Sequence, residues 1–389
     1  MQLDDLPPEC LLAILERITT LDELISLTKV CRKWEELIIH RLSKVKYIFG
    51  NENGHSSPAT VYIGEGKFLE SPNFLQFIPN LRVLDLLFQK GFTLKTYHQA
   101  YEIIGRAKKL KGLIFYSLAI VPSLASYCET PEMVAIIHPG VTWYQSFARF
   151  SSKVKQLFVE SAQINDLAYM NLDNLVRLHF SNIGDDLHFY EGPILKNLEI
   201  LEFKSFLWAP HCRSLDVFAG YRLLDFCPSL KSVHLYDISK NQTPNTNKIN
   251  HSLRDLVIEY SGESSMSFES LRNFLSKYPK LKHLAIRNYS NIGDANLVDL
   301  MRLLPHLVIL DLRRSPGITE SSEKIVQSYC KRHGRTIEFH FSCGETADVP
   351  EIPPAQRTNR LVEGFDFMKY CFFKHFNELP MLMDTINLE

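Results

Sequence analysis

Tyr278-Pro-Lys-Leu281-Lys-His-Leu284-Ala-Ile286-Arg-Asn-Tyr289-Ser-Asn291-Ile-Gly-Asp294-Ala-Asn-Leu297-Val-Asp-Leu300 is the stretch on which the reading of this chain turns. Pro279 stops whatever precedes it, because the residue before a proline is pushed out of helical geometry. Leu281, Leu284 and Ile286 then follow the phrase apolar-x-x-apolar-x-apolar, which suits a short strand with one face turned inward. Leu297 and Leu300, three apart, lie on one face of a helix. One unit therefore reads as strand, turn and return helix.

The same phrase recurs from residue 81 onward. Its clear copies begin at Leu81, Leu110, Val154, Leu175, Leu198, Leu230, Leu253, Leu281 and Leu307, at intervals of 29, 44, 21, 23, 32, 23, 28 and 26 residues. The interval of 44 divides at Pro131-x-x-Val134-x-Ile136 into 21 and 23, and weaker copies fit at Val61-x-Ile63 and Ile337-x-Phe339. Pro-x-Leu words at Pro79, Pro228, Pro279 and Pro305 launch four of the strands. A supersecondary unit that returns at such a period cannot bury its apolar face alone, so the units stack and share a core. This pattern resembles the leucine-rich-repeat family, and the copy at Leu281 resembles its cysteine-containing subtype. Tyr289 stands where that subtype has cysteine or asparagine, so an irregular buried ladder is expected there.

The first forty residues obey another rule. Leu6-Pro7-Pro8-Glu9 opens a helix whose stripe is Leu11, Ile14, Leu15 and Ile18. Prolines suit a first turn, where their missing N–H costs nothing. Thr20-Leu-Asp-Glu23 has the form of a capping box before Leu24 and Leu27. A third helix then presents Val30, Trp34, Leu37 and Ile38 on one side and Arg32, Lys33, Glu35 and Glu36 on the other. So short a segment buries too little of its own surface to stand alone. It could be a helical cap on the repeats, but a cap needs neither the Leu-Pro opening nor the Cys31-Arg-Lys-Trp34 word. The segment resembles the F-box family over residues 3 to 42.

The expected fold is thus α/β: a three-helix F-box over residues 1–45, a repeat solenoid of about ten to twelve units over 46–342, and a C-terminal segment over 343–389. The F-box resemblance implies a Skp-family adaptor as partner and, through it, cullin and RING subunits. The implied contact residues are Leu6, Pro7, Leu11, Ile14, Leu15, Leu24, Val30, Trp34 and Leu37, some facing the adaptor and some packing the helices. The chain would then be the substrate-recognition subunit of an SCF-type ubiquitin ligase, performing no bond chemistry itself. A non-degradative adaptor-bound scaffold and an enzyme with a site hidden among the repeats are the competing classes.

Composition is consistent with that reading. Among 389 residues, 45% are hydrophobic and 22% charged, and 43 basic against 44 acidic residues give a formal charge of −1, which argues for neither nucleic acid nor an anionic membrane. The eight cysteines form no CxxC pair, and with Asp4 and Asp5 in place of a basic signal-peptide region this points to a reduced cytoplasmic or nuclear setting. No apolar run approaches a membrane span. Neither a phosphate-binding loop nor a nucleophile elbow occurs, and no metal-ligand spacing does, so no cofactor is expected.

In the repeat, residues 4 and 6 point inward, which sends residues 3, 5 and 7 to the opposite, concave face. The early copies are apolar there: Val83, Leu87, Tyr116, Ile137 and Phe158. Later copies place Arg177, His179, Lys204, Arg287 and Arg313 on it. These ten residues are the candidate target-facing set. After Pro350, Pro353 and Pro354 the chain closes with Phe365, Phe367, Phe372, Phe373 and Phe376, too much aromatic surface for a free tail. The tail is expected to cap the last repeat, leaving the concave face free; the alternative is that it runs back over that face.

Overall fold

The computed structural model describes residues 6–50, 57–64, 74–86, 102, 104–115, 131–140, 143–183, 190–206, 219–237, 248–261, 266–342 and 360–385. It divides into two compact units, Met1–Val154 and Lys155–Glu389.

The first unit begins with α1 (Pro8–Leu15), α2 (Leu21–Leu27) and α3 (Arg32–Ser43). Five parallel strands follow: β1 (Tyr47–Phe49), β2 (Thr60–Tyr62), β3 (Val83–Asp85), β4 (Gly112–Phe115) and β5 (Met133–Ile137), ordered β2-β1-β3-β4-β5. β1 answers to none of the recurring copies, because Val45-Lys-Tyr-Ile48 runs straight out of α3 without a proline word. Hydrogen bonds tie the helices to these strands. Tyr62 N donates to Thr19 O at 2.8 Å, and Asn80 Nδ2 reaches Ser43 O at 2.7 Å.

The second unit holds eight parallel strands in sequence order: β6 (Gln156–Ala162), β7 (Arg177–Ile183), β8 (Ile200–Phe206), β9 (Ser232–Asp237), β10 (Asp255–Tyr260), β11 (His283–Arg287), β12 (Ile309–Asp311) and β13 (Glu338–His340). Leu157, Leu178, Leu201, Val233, Leu256, Leu284, Leu310 and Phe339 stand opposite one another along a single ladder. Fixing the apolar fourth residue fixes the register, since a slip of one residue would turn the whole row to the wrong face.

The proline words act as β-turns with proline second, where its fixed φ is favoured. Leu230 N bonds Cys227 O, Leu281 N bonds Tyr278 O and Leu307 N bonds Leu304 O. Return segments are short helices, such as Phe268–Leu275, which Ser267 caps by accepting from Ser270 N and which buries Leu271, Phe274 and Leu275. The longest return among the described residues, Glu320–His333, starts at the Thr319 cap and ends on left-handed Gly334 after Lys331, Arg332 and His333, as the helix dipole favours. Tyr289 does not leave a gap: it stacks on Tyr260 at 5.0 Å and donates to Met266 O at 2.9 Å, doing with an aromatic ring what a small polar residue would do there.

The tail is where expectation and fold part. It does not cap β13. Its strands β14 (Leu361–Glu363) and β15 (Leu382–Asp384) pair in parallel with each other, outside the main sheet. Between them Phe367, Cys371, Phe372, Phe376 and Leu379 pack with Met383 on Ile200, Val257 and Ala285, the third residue of one copy and the fifth of two. Among the described residues only Phe373 reaches β13, with its ring 5.6 Å from that of His340, while Ile200, Val257 and Ala285, with Tyr236 and Ile309 beside them, offer a longer apolar row on the face. An apolar tail goes to the apolar row.

Candidate interaction surfaces

In the N-terminal helices the nine expected contact residues sort into three kinds. Leu11, Leu15, Leu24 and Trp34 are buried and hold the helices together with Leu21, Ile38 and Leu42. Leu6 and Leu37 are half-buried, and Lys33 Nζ fastens the Leu6 carbonyl at 3.0 Å. Pro7, Ile14 and Val30 face solvent, Ile14 at 41% and Val30 at 57% of full exposure. Pro7 and Ile14 are two turns apart on one side of α1, and Val30 sits in the turn leading to α3.

Arg41 carries no sequence signal of its own, yet it is central. Its guanidinium is buried and donates to Leu15 O at 2.8 Å and Ile18 O at 2.6 Å, closing the C-terminal end of α1. Thr20 does stand at the N-cap of α2, but its hydroxyl accepts no cap hydrogen bond and the expected capping box is not formed. An isolated parallel bridge between Thr20 and Tyr62 takes up this stretch of backbone instead. Leu11→Ala is expected to lower stability by about 2–5 kcal/mol, the usual cost of emptying a sealed leucine site. Chemical denaturation followed by hydrogen exchange in α1 to α3 checks it, and an unchanged midpoint would place Leu11 outside the core.

The second surface is the sheet face under the tail. Of the ten candidate target-facing residues, Leu87 and Tyr116 lie outside the described residues. In the first unit Val83 is buried and Ile137 half-buried. In the second, Phe158, Arg177, His179, Lys204 and Arg287 are all buried, and only Arg313 keeps substantial exposure, 38% of its side chain. In the second unit the expectation of an open face is corrected: there the tail occupies it.

What the tail meets is a charged network. Arg177 pairs with Glu202 at 2.7 Å and also donates to the carbonyls of Pro380 and Met381. His179 bonds Glu202 at 2.7 Å and lies between the rings of Phe158, 4.2 Å away, and Phe376, 4.9 Å away. Glu259 takes Arg287 at 2.8 Å, His375 Nδ1 at 3.2 Å and the Phe376 N–H at 3.1 Å. Arg287 reaches on to Asp311 and to the carbonyls of Phe372 and Lys374. Gln156 grips Met383 twice, donating to its carbonyl at 2.6 Å and accepting from its N–H at 3.1 Å. Lys204 bonds Asn377 at 2.9 Å.

Burial pushes the Glu202 carboxyl up, but the Arg177 guanidinium and the His179 ring overcome it and hold the group at about 2. Glu259 is likewise held well below the usual carboxylate range, with burial opposed by the His234 ring 3.6 Å away and by the hydrogen bond from His375. Cys371, bonded to Glu202 at 3.2 Å, has its thiol pushed up by burial and then by that carboxylate. A thiol so placed is a packing group and not a nucleophile. Among the described residues no cluster of histidine, cysteine, aspartate or glutamate could hold a metal ion, and no helix is long and apolar enough to cross a membrane.

Solved structures similar to this chain include an internalin, inlF, from Listeria monocytogenes str. 4b F2365, at 10% identity and a TM-score of 0.34, covering 78% of this chain and 84% of that one. The Rad7 and Elc1 complex in yeast is similar at 15% identity and a TM-score of 0.36, covering 65% of this chain and 68% of that one. A comparison with curated proteins gives no match. The N-terminal helices match a known family directly: residues 3–44 form an F-box-like domain.

Proposed function

We propose that this chain is the substrate-recognition subunit of an SCF-type ubiquitin ligase, with the F-box-like domain docking a Skp-family adaptor and leucine-rich repeats carrying the target. The observation that supports it most is an F-box-like domain whose own core is complete while Pro7, Ile14 and Val30 stay uncovered. Single exposed apolar side chains are ordinary, and what favours docking here is that these three fall within the F-box-like match, on residues that the resemblance assigns to the adaptor. On this reading the chain is not an enzyme: it holds a target's lysines near a charged E2, which is catalysis by effective concentration.

Affinity purification with mass spectrometry is the test, comparing the intact chain with an Ile14→Asp, Val30→Asp variant. Adaptor and cullin are expected to vanish from the variant while the target persists, and ubiquitin chains on the target are expected only with the intact chain. Adaptor binding without ubiquitin chains on any bound protein would favour the non-degradative scaffold. A further expected outcome concerns solubility: expressed without an adaptor, the chain self-associates, and co-expression makes it monodisperse by size-exclusion chromatography. A monodisperse chain that gains no stability from the adaptor would mean that Ile14 and Val30 need no cover.

A further inference from the structure

The contacts between tail and sheet have an unusual chemistry. Gln156 binds both main-chain groups of Met383. Arg177 binds two tail carbonyls, Arg287 binds two more, and Glu259 accepts the Phe376 N–H. Groups that read main chain are indifferent to sequence; preference then comes from where side chains are received, here Phe372, Phe376 and Met383 over Ile200, Val257 and Ala285. The segment is received as two short helical turns, Met368–Phe372 and Phe376–Glu378, followed by the strand that holds Met383, and this division between main-chain grip and side-chain seats is that of a peptide in a groove.

Two features distinguish this from a segment of permanent core. The tail's only strand pairing among the described residues is with itself, β14 on β15, so it rests on the sheet without entering its ladder. The face beneath it carries Arg177, Glu202, Glu259, Arg287 and Asp311, all buried. Charges under a cover that never lifts are costly, and apolar residues of similar size serve as well or better. Charges on a face that is sometimes vacated hydrate readily. The tail, by contrast, is apolar and does not persist in water, so the face changes occupant by exchange and not by simple opening.

We infer that the face of β6 to β11 is a peptide-binding groove, that residues 360–385 are its resident ligand, and that a target protein enters by exchanging in an apolar segment with two aromatic side chains four residues apart, the spacing of Phe372 and Phe376. This deepens the proposal that the repeats carry the target, and it is tested on the chain alone, so its outcome is separate from that of adaptor docking.

The test uses the full chain with a protease site placed between residues 343 and 359, cut after folding, and a fluorescent synthetic peptide of residues 360–385. Tethered, the tail acts at an effective concentration on the order of millimolar, so the uncut chain is expected to refuse micromolar peptide. The cut chain is expected to exchange its segment for the labelled one, read by fluorescence anisotropy. N-methylation at Met383, or alanine at both Phe372 and Phe376, is expected to weaken the peptide at least about tenfold. Failure of the cut segment to exchange until the chain unfolds overturns the inference, as does equal binding of the double-alanine peptide. Should the cut chain aggregate, native-state hydrogen exchange on the uncut chain decides: tail amides that open at lower free energy than β8 to β10 support the groove, and equal protection makes the tail core.

Discussion

Ile14→Asp and Val30→Asp together are expected to weaken adaptor capture roughly a thousandfold, at about 2 kcal/mol or more for each anchor lost from a desolvated interface. Each aspartate would also bring an uncompensated charge into that interface, so the loss lies in binding and not in folding. Both side chains are exposed in the free chain, and the melting temperature should therefore move little, within about 0.5 kcal/mol of stability. Calorimetric titration of purified adaptor into each protein, paired with thermal melts, checks both halves. Undiminished affinity with intact folding would remove the docking role from these two residues. Leu11→Ala makes the opposite control, since its target is the core: it should lose stability first and adaptor only as a consequence. The sequence stripe put Leu11 and Ile14 in one class, and the fold separates them.

That separation marks what a sequence of this kind can and cannot tell. The strand register was legible to the residue across β6 to β12, because the rule behind it is local, one apolar position every repeat; at β13 the weak copy Ile337-x-Phe339 lies two residues out, since Phe339 and not Ile337 stands opposite Leu310. The three helices were legible for the same reason. The destination of the tail was not, since it depends on contacts between residues more than two hundred apart, such as Arg177 with Pro380 and Met381. A signal did exist. The later copies carry charges at the third and seventh residues, such as Asp255, Glu259, His283 and Arg287, but Val257 and Ala285 at the fifth. With Ile200 and Ile309 these make an apolar row through a charged face. Gln156, polar beside the apolar early copies, was the other clue to a partner that offers main chain.

Arg177→Met is expected to cost about 3–5 kcal/mol at neutral pH, the price of leaving a buried carboxylate without its cation, and to free the end of the tail. Two effects combine. Glu202 keeps only His179 and Cys371 as partners, and the carbonyls of Pro380 and Met381 lose their donor. Acid separates them. In the native chain Glu202 is held at about 2, below the ordinary carboxylate value, so its contribution is fully present above that ordinary value and is lost only as pH falls toward 2. Without Arg177 the carboxyl takes up a proton at higher pH, and a neutral acid is far cheaper to bury. The stability gap between native chain and variant should therefore be widest at pH 7 and narrow as pH falls through the carboxylate range. Urea unfolding at pH 7, 5 and 4 measures the gap, and hydrogen exchange at residues 376–384 locates it. A gap of the same size at every pH would mean that Arg177 acts through the two carbonyls alone and that its pairing with Glu202 contributes nothing to holding the tail.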